Sequence, residues 1–279
     1  MKSINELRRI CQNTRPSIWT DFQNKFYYQI SIYFTYIFII LRLKANDVTL
    51  FSGFVSIIGG ILIISENKSL TLIGFLLFHL FAVLDMCDGE VARYNKESSI
   101  NGHFLDWFMH YITSFAMLSG LFIYSLNFLN NNILIFIGLI AICIPLFDKS
   151  ITSSGWTVIV WTRLRKFNDK NKIISEKKET KQTISLIKKR LLFLLIHPFM
   201  EHWIKLSLLI LSLIDLILEL FNLNFLNYKV LILIYIGILG PIYIIVKIKN
   251  LFNKNSLNDG YNRLFISKRK PILPKDDFL

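Results

Sequence analysis

Six stretches of this chain are each apolar and long enough to cross, or nearly cross, a bilayer core, which takes about 20 residues of helix. They run over 49–65, 70–86, 104–128, 133–152, 199–221 and 230–246. No other feature narrows the fold as far. In lipid an apolar run must satisfy its own backbone hydrogen bonds, and a single segment does so as a helix. Charge is confined to the links. Only 18 % of residues are charged, yet Lys and Arg number 32 against 19 Asp and Glu, so basic residues are segregated from the apolar blocks. That segregation excludes disorder and leaves no soluble basic domain for a nucleic acid. Cys11, Cys87 and Cys143 are an odd count without repeat spacing, and point to neither a disulfide framework nor a zinc knuckle.

The links set the orientation. The segment before Val48 is basic, and the link around Glu66 and Lys68 is neutral. The next link holds Arg93 and Lys96, and its acids count for little in the orientation rule. The following link, 127–132, is uncharged. Residues 163–190 hold eleven Lys and Arg, the link near Lys229 holds one, and the tail is basic again around Lys268, Arg269 and Lys270. Basic and non-basic links alternate, which predicts six crossings with both termini in the cytoplasm. The first 25 residues are basic and lack the apolar core of a cleavable signal. A further stretch, 26–43, is broken by Gln29, Ser31, Thr35 and Arg42. A seventh crossing there would put Arg8, Arg9 and Arg15 outside, so it reads as an interfacial amphipathic helix. The expectation is an all-α integral membrane protein: residues 1–47 a cytoplasmic N-terminus with that helix, 48–250 a six-helix membrane domain with a basic loop at 163–190, and 251–279 a basic tail.

The most informative run lies between the second and third apolar stretches. Asp85 and Asp88 are three apart, on one face of a helix. Asp106 follows at the start of the next span, with His110 one turn deeper. Carboxylates at the ends of apolar spans are costly unless a partner or cation offsets them. Hard oxygen donors suit Mg²⁺ or Mn²⁺, and aspartates from two helices suit a two-metal site for phosphoryl transfer. Gly89, Ala92 and Gly102 are small residues at the same level, and the Arg93 fork fits a phosphate. Taken singly, each small residue is explained by helix packing.

The spacing Asp85-x2-Asp88-Gly89-x2-Ala92-Arg93-x8-Gly102-x3-Asp106-x3-His110 resembles the signature of the CDP-alcohol phosphatidyltransferases. Seven of its eight fixed positions match. The stretch from Lys44 to Thr49 is also similar to that family's P-N-x-x-T opening of the first span, with Asn46 and Thr49 in place and Ala45 where the proline would stand. The resemblance implies a six-helix membrane enzyme that transfers a substituted phosphate from a CDP-linked donor to a hydroxyl and releases CMP. It implies that Asp85, Asp88 and Asp106 hold divalent metals, that Gly89, Ala92, Arg93 and Gly102 shape the CDP pocket, and that Asn46 lies near the diphosphate. Homodimers are common in that family. The departure is His110, where the family has the aspartate taken to be the general base. An imidazole titrates near neutral pH and can serve as base. It can instead be a metal ligand or acceptor contact, or mark an inactive member that only binds CDP-lipid, but the intact remainder of the motif favours the base.

Other polar residues are candidates on the acceptor side: Arg163, Arg165 and Lys166 after the fourth span, and His197 and Glu201 where the fifth begins. The run containing His197 and Glu201 has the wrong spacing for a zinc-hydrolase helix. The basic loop 163–190 is either a solvated segment near anionic lipid or a lid over a phosphorylated substrate. The leading expectation is an enzyme with its site at the cytoplasmic face, in phospholipid or lipid-linked glycan synthesis. The donor is either CDP-diacylglycerol or a soluble CDP-alcohol, and the acceptor an alcohol or a lipid. A cation transporter lined by the same acids is the competing class. Abundant Lys, Asn and Ile suggest an AT-rich genome and a bacterial inner membrane.

Overall fold

The computed structural model describes residues 3–12, 22–97, 99–129, 131–168, 201–221, 223 and 227–252. Among them every regular element is a helix: α1 (Ile4–Cys11), α2 (Phe22–Ile40), α3 (Ala45–Ile63), α4 (Lys68–Asn95), α5 (Ile100–Leu126), α6 (Asn132–Asn168), α7 (Glu201–Leu220) and α8 (Tyr228–Phe252). Five of these, α3, α4, α5, α6 and α8, are long and apolar enough to cross a membrane. The apolar run of α7 is interrupted by Lys205, Asp215 and Glu219. Helix α6 outlasts the apolar stretch that predicts it, running on to Asn168 with Pro145 inside, so the basic segment begins on a helix.

Helix starts follow local chemistry. Ser3 and Glu6 form a reciprocal capping box on α1. Asn67 Oδ1 accepts the Ser69 and Leu70 N–H groups at the start of α4, at 2.9 and 3.2 Å. Helix α4 stops at Lys96, which takes a left-handed conformation (φ 57°) and returns its own N–H to the last turn. Ser99 then caps α5 by accepting the Gly102 N–H at 2.9 Å. This short reversal puts the carboxylate-bearing ends of α4 and α5 at one end of the bundle.

Helix α3 is wedged between α4 and α5. A Cβ on Gly59 would lie 3.0 Å from the Gly74 carbonyl oxygen on α4, and one on Gly60 would lie 2.6 Å from that of Ala116 on α5. Such backbone approach needs residues without side chains. It also fixes register, because α3 carries Asn46 and Thr49 to the level of Gly102 and Asp88. Gly60→Val is therefore expected to cost about 1–3 kcal/mol through overpacking. Thermal unfolding in detergent measures this, and an unchanged midpoint would mean that α3 and α5 can separate freely.

Helix α2 packs along α4, with Tyr27 and Phe38 in a cluster that includes Leu84, Cys87 and Val91. Helix α7 runs antiparallel to α4, with the Lys205 ammonium 5.0 Å from the Phe81 ring centre and Asp215 3.0 Å from Lys68. The ion pair answers how a carboxylate is tolerated so deep in the apolar run of α7. At that same end Lys229 is buried, and its ammonium donates to the Ile63 and Ser65 carbonyls and to Thr71 at 3.2, 3.0 and 2.8 Å. It thereby caps α3 and ties α8 to the α3–α4 turn.

Candidate active site

The last turns of α4 and the first turns of α5 converge. Asp85, Asp106 and His110 each offer a ligand atom, and these three lie within 4.8 Å of one another. His110 Nε2 is 3.1 Å from Asp85 Oδ1 and 3.6 Å from Asp106 Oδ1. All three side chains are about a third exposed or less, open enough to exchange a ligand yet poorly hydrated. Two carboxylates so close repel each other unless a cation or proton lies between them. The two carboxylates are hard oxygen donors of the kind that suit Mg²⁺ or Mn²⁺, whereas an imidazole nitrogen suits softer transition metals.

Asp88, one turn on from Asp85, is set more deeply. It is buried, and Thr49 Oγ1 donates to its Oδ2 at 2.8 Å. That bond couples α3 to α4 beside the trio. Asn46 lies three residues before Thr49, and its Oδ1 would be 3.1 Å from a Cβ on Gly102. A side chain at 102 would therefore press on both Asn46 and the Ser99 cap. Gly89 and Ala92 are half-buried on α4. Arg93 Nε donates to the backbone carbonyl of Cys11 on α1 at 2.5 Å, so this guanidinium is oriented by the N-terminal helix.

The imidazole of His110 is itself held. The Phe81 ring meets it edge-on with centres 5.6 Å apart. The Lys149 ammonium on α6 donates to the His110 backbone carbonyl, and to Ser114 Oγ at 2.7 Å. Lys205 is buried, with its ammonium over the same Phe81 ring. His79, further along α4, meets Tyr27 of α2 through Nδ1 and the Lys205 carbonyl through Nε2, the latter at 3.3 Å. A carbonyl only accepts, so Nε2 donates and Nδ1 accepts from the tyrosine hydroxyl. That residue thus bridges three helices behind the site.

The structure brings Asp85, Asp106, His110, Asp88, Asn46 and Gly102 to one end of the bundle; spacing predicts the acids, His110 and Gly102 there, and the resemblance alone predicts Asn46. Spacing does not reveal Phe81, and although Lys149 and Lys205 read from the sequence as polar residues near the same face, their contacts with the His110 carbonyl and the Phe81 ring come only from the packing of other helices. Arg163, Arg165 and Lys166 lie on the last turns of α6, and Glu201 opens α7, but their side chains fall outside the described residues. His197 falls outside them altogether.

A family model described as CDP-alcohol phosphatidyltransferase matches residues 42–217. That range is more than half of the chain and contains Asn46, Thr49, the whole run from Asp85 to His110, Lys149 and Lys205. Comparison with curated proteins returns no match.

Proposed function

The chain belongs to the CDP-alcohol phosphatidyltransferase family, and on that premise we propose that it is a metal-dependent transferase that releases CMP from a CDP-alcohol. The observation that carries this reading is the meeting of Asp85, Asp106 and His110 between α4 and α5, with Asp88 beside them. Asp85, Asp88 and Asp106 would hold the divalent cations. Mg²⁺ or Mn²⁺ bound there would neutralise the donor diphosphate and stabilise CMP as leaving group. Gly89, Ala92 and Gly102 would leave room for the nucleotide, Asn46 would lie along the diphosphate, and Arg93 is the candidate partner for its charge.

His110 acts as the base. A ring nitrogen of His110 would take the proton from the acceptor hydroxyl, and the carboxylates of Asp85 and Asp106, which lie against Nε2, would stabilise the resulting imidazolium. The hydroxyl oxygen forms the new bond to the phosphorus that carries the alcohol, and the bond from that phosphorus to the CMP oxygen breaks. A second role for His110, metal ligand, is favoured by one observation: its Nε2 faces the two carboxylates.

The site lies at the cytoplasmic end, on the argument that the links on that side carry the Lys and Arg excess. We read α7 as a sixth crossing, a reading supported by its contacts with α4 from Phe81 to Lys68, about 20 Å of helix. A membrane site open to cytosol lets a soluble partner meet a lipid one.

The test is CMP release by the purified protein in nanodiscs with Mn²⁺ or Mg²⁺. One arm offers CDP-diacylglycerol with polyols and polyol phosphates. The other offers CDP-choline, CDP-ethanolamine, CDP-glycerol or CDP-ribitol with a lipid extract. Release in one arm, abolished by a chelator, is expected and names the lipid partner. Cation flux with no release from any donor would overturn the transferase reading.

A further inference from the structure

Glu90 stands two residues past Asp88, about 200° around the helix and so on the opposite face of α4. It has no solvent exposure. Its carboxylate accepts from Gln12 Nε2 at 2.8 Å, Ser31 Oγ at 2.7 Å and Thr35 Oγ1 at 2.6 Å. All three donors are neutral, and they come from the end of α1 and the middle of α2. Withdrawing a carboxylate from water is costly, and a well-packed apolar residue would hold α2 against α4 with less penalty. What the carboxylate adds is direction, because each bond fixes where its donor must lie.

The bonds lead on to Arg93. Gln12 is secured a second time: its Nε2 also donates to the Tyr28 carbonyl at 2.9 Å, and the Tyr28 hydroxyl donates to the Gln12 carbonyl at 2.7 Å. Gln12 directly follows Cys11, whose carbonyl receives Arg93 Nε. Arg93 is three residues beyond Glu90, one turn along α4. The contacts close a ring, from Glu90 through Gln12 and Cys11 to Arg93 and back along α4. We propose that Glu90 is a positioning residue: it pins the end of α1 so that the Cys11 carbonyl sets the plane of the Arg93 guanidinium toward the donor diphosphate. The α1–α2 unit is then a working part of the site. This rests on the reading of Arg93 as a donor contact.

The experiment is a double-mutant cycle on the full chain in nanodiscs, with Glu90→Ala, Arg93→Ala and both together. CDP affinity at saturating Mn²⁺, donor KM, kcat and the thermal midpoint are measured for each. Glu90→Ala should weaken CDP binding and raise donor KM by about tenfold, as small misplacements of a positioned group do, with Mn²⁺ affinity unchanged. In the Arg93→Ala background the same change should cost less than about twofold, because the two residues act as one unit. If it costs the same factor in both backgrounds, Glu90 does not act through Arg93 and the proposal fails. Should Glu90→Ala not fold, Glu90→Gln and Thr35→Val take its place in the cycle, with about threefold expected where Arg93 is present and none where it is absent. Arg93→Ala without effect on CDP affinity would overturn both the donor role of Arg93 and this proposal. A native protein that binds CDP but shows a multiplicative cycle sinks this proposal alone, whereas one that neither binds CDP nor releases CMP sinks the transferase reading with it.

Discussion

Asp106→Asn is expected to lower metal-dependent CMP release by roughly 10³-fold, the scale on which removal of one electrostatic partner from a reacting centre is felt. Asn keeps the shape of the side chain and loses the charge. Mn²⁺ titration should show a matching loss of affinity, since Asp106 Oδ1 belongs to the trio whose ligand atoms lie within 4.8 Å. The same substitution should act oppositely on stability. Without metal, Asp85, Asp88 and Asp106 crowd like charges at the ends of two helices. Removing one charge should therefore raise the thermal midpoint of the metal-free protein, a trade of stability against function common at such sites. The native protein should gain stability on adding Mn²⁺ by ordinary ligand linkage, and the Asn variant should not. A variant that keeps both its activity and its Mn²⁺-induced shift would show that Asp106 is not a ligand.

His110→Ala is expected to lower kcat by about 10²–10⁴-fold, the range for loss of a positioned general base. CDP affinity should stay within a few-fold of native. Mn²⁺ affinity then separates the two roles of the imidazole. Unchanged affinity supports the base, while a large loss supports a ligand held between Asp85 and Asp106. His110→Asp supplies the carboxylate of the family signature and should recover part of the rate. A carboxylate loses its proton at lower pH than an imidazole, and a base works only when deprotonated. The acid limb of the pH–rate profile should accordingly move to lower pH in that variant. Equal profiles for the two proteins would rule out residue 110 as the titrating base. Fully retained activity in His110→Ala would remove it from the chemistry.

The fold was legible in outline because lipid leaves an apolar run of sufficient length few alternatives to a helix. Five of the predicted stretches are long, apolar helices in the structure. Their ends were less legible. Helix α4 runs nine residues past Met86 to Asn95, and α6 runs on to Asn168, because helical hydrogen bonding continues where hydrophobicity stops. The stretch 26–43 shows the limit most plainly. Ser31 and Thr35 look like interruptions of an apolar face, yet both are fully buried and both donate to Glu90. A polar residue on a helix reads as a solvated position until its partner on another helix is known.

The helices, the segregation of charge, and the gathering of Asp85, Asp88, Asp106 and His110 follow from residue spacing along one chain and from a short turn, and so were readable without coordinates. What each charge rests on came from the packing of distant helices. That packing paired Asp215 with Lys68, 147 positions apart, and set Thr49 against Asp88. It gave Arg93 to the Cys11 carbonyl and turned the imidazole of His110 toward two carboxylates with Phe81 at its edge. The physical reason is that helix formation is local, whereas the cost of a buried polar group is settled by whichever distant side chain the packing of small residues such as Gly59, Gly60 and Gly74 brings within reach.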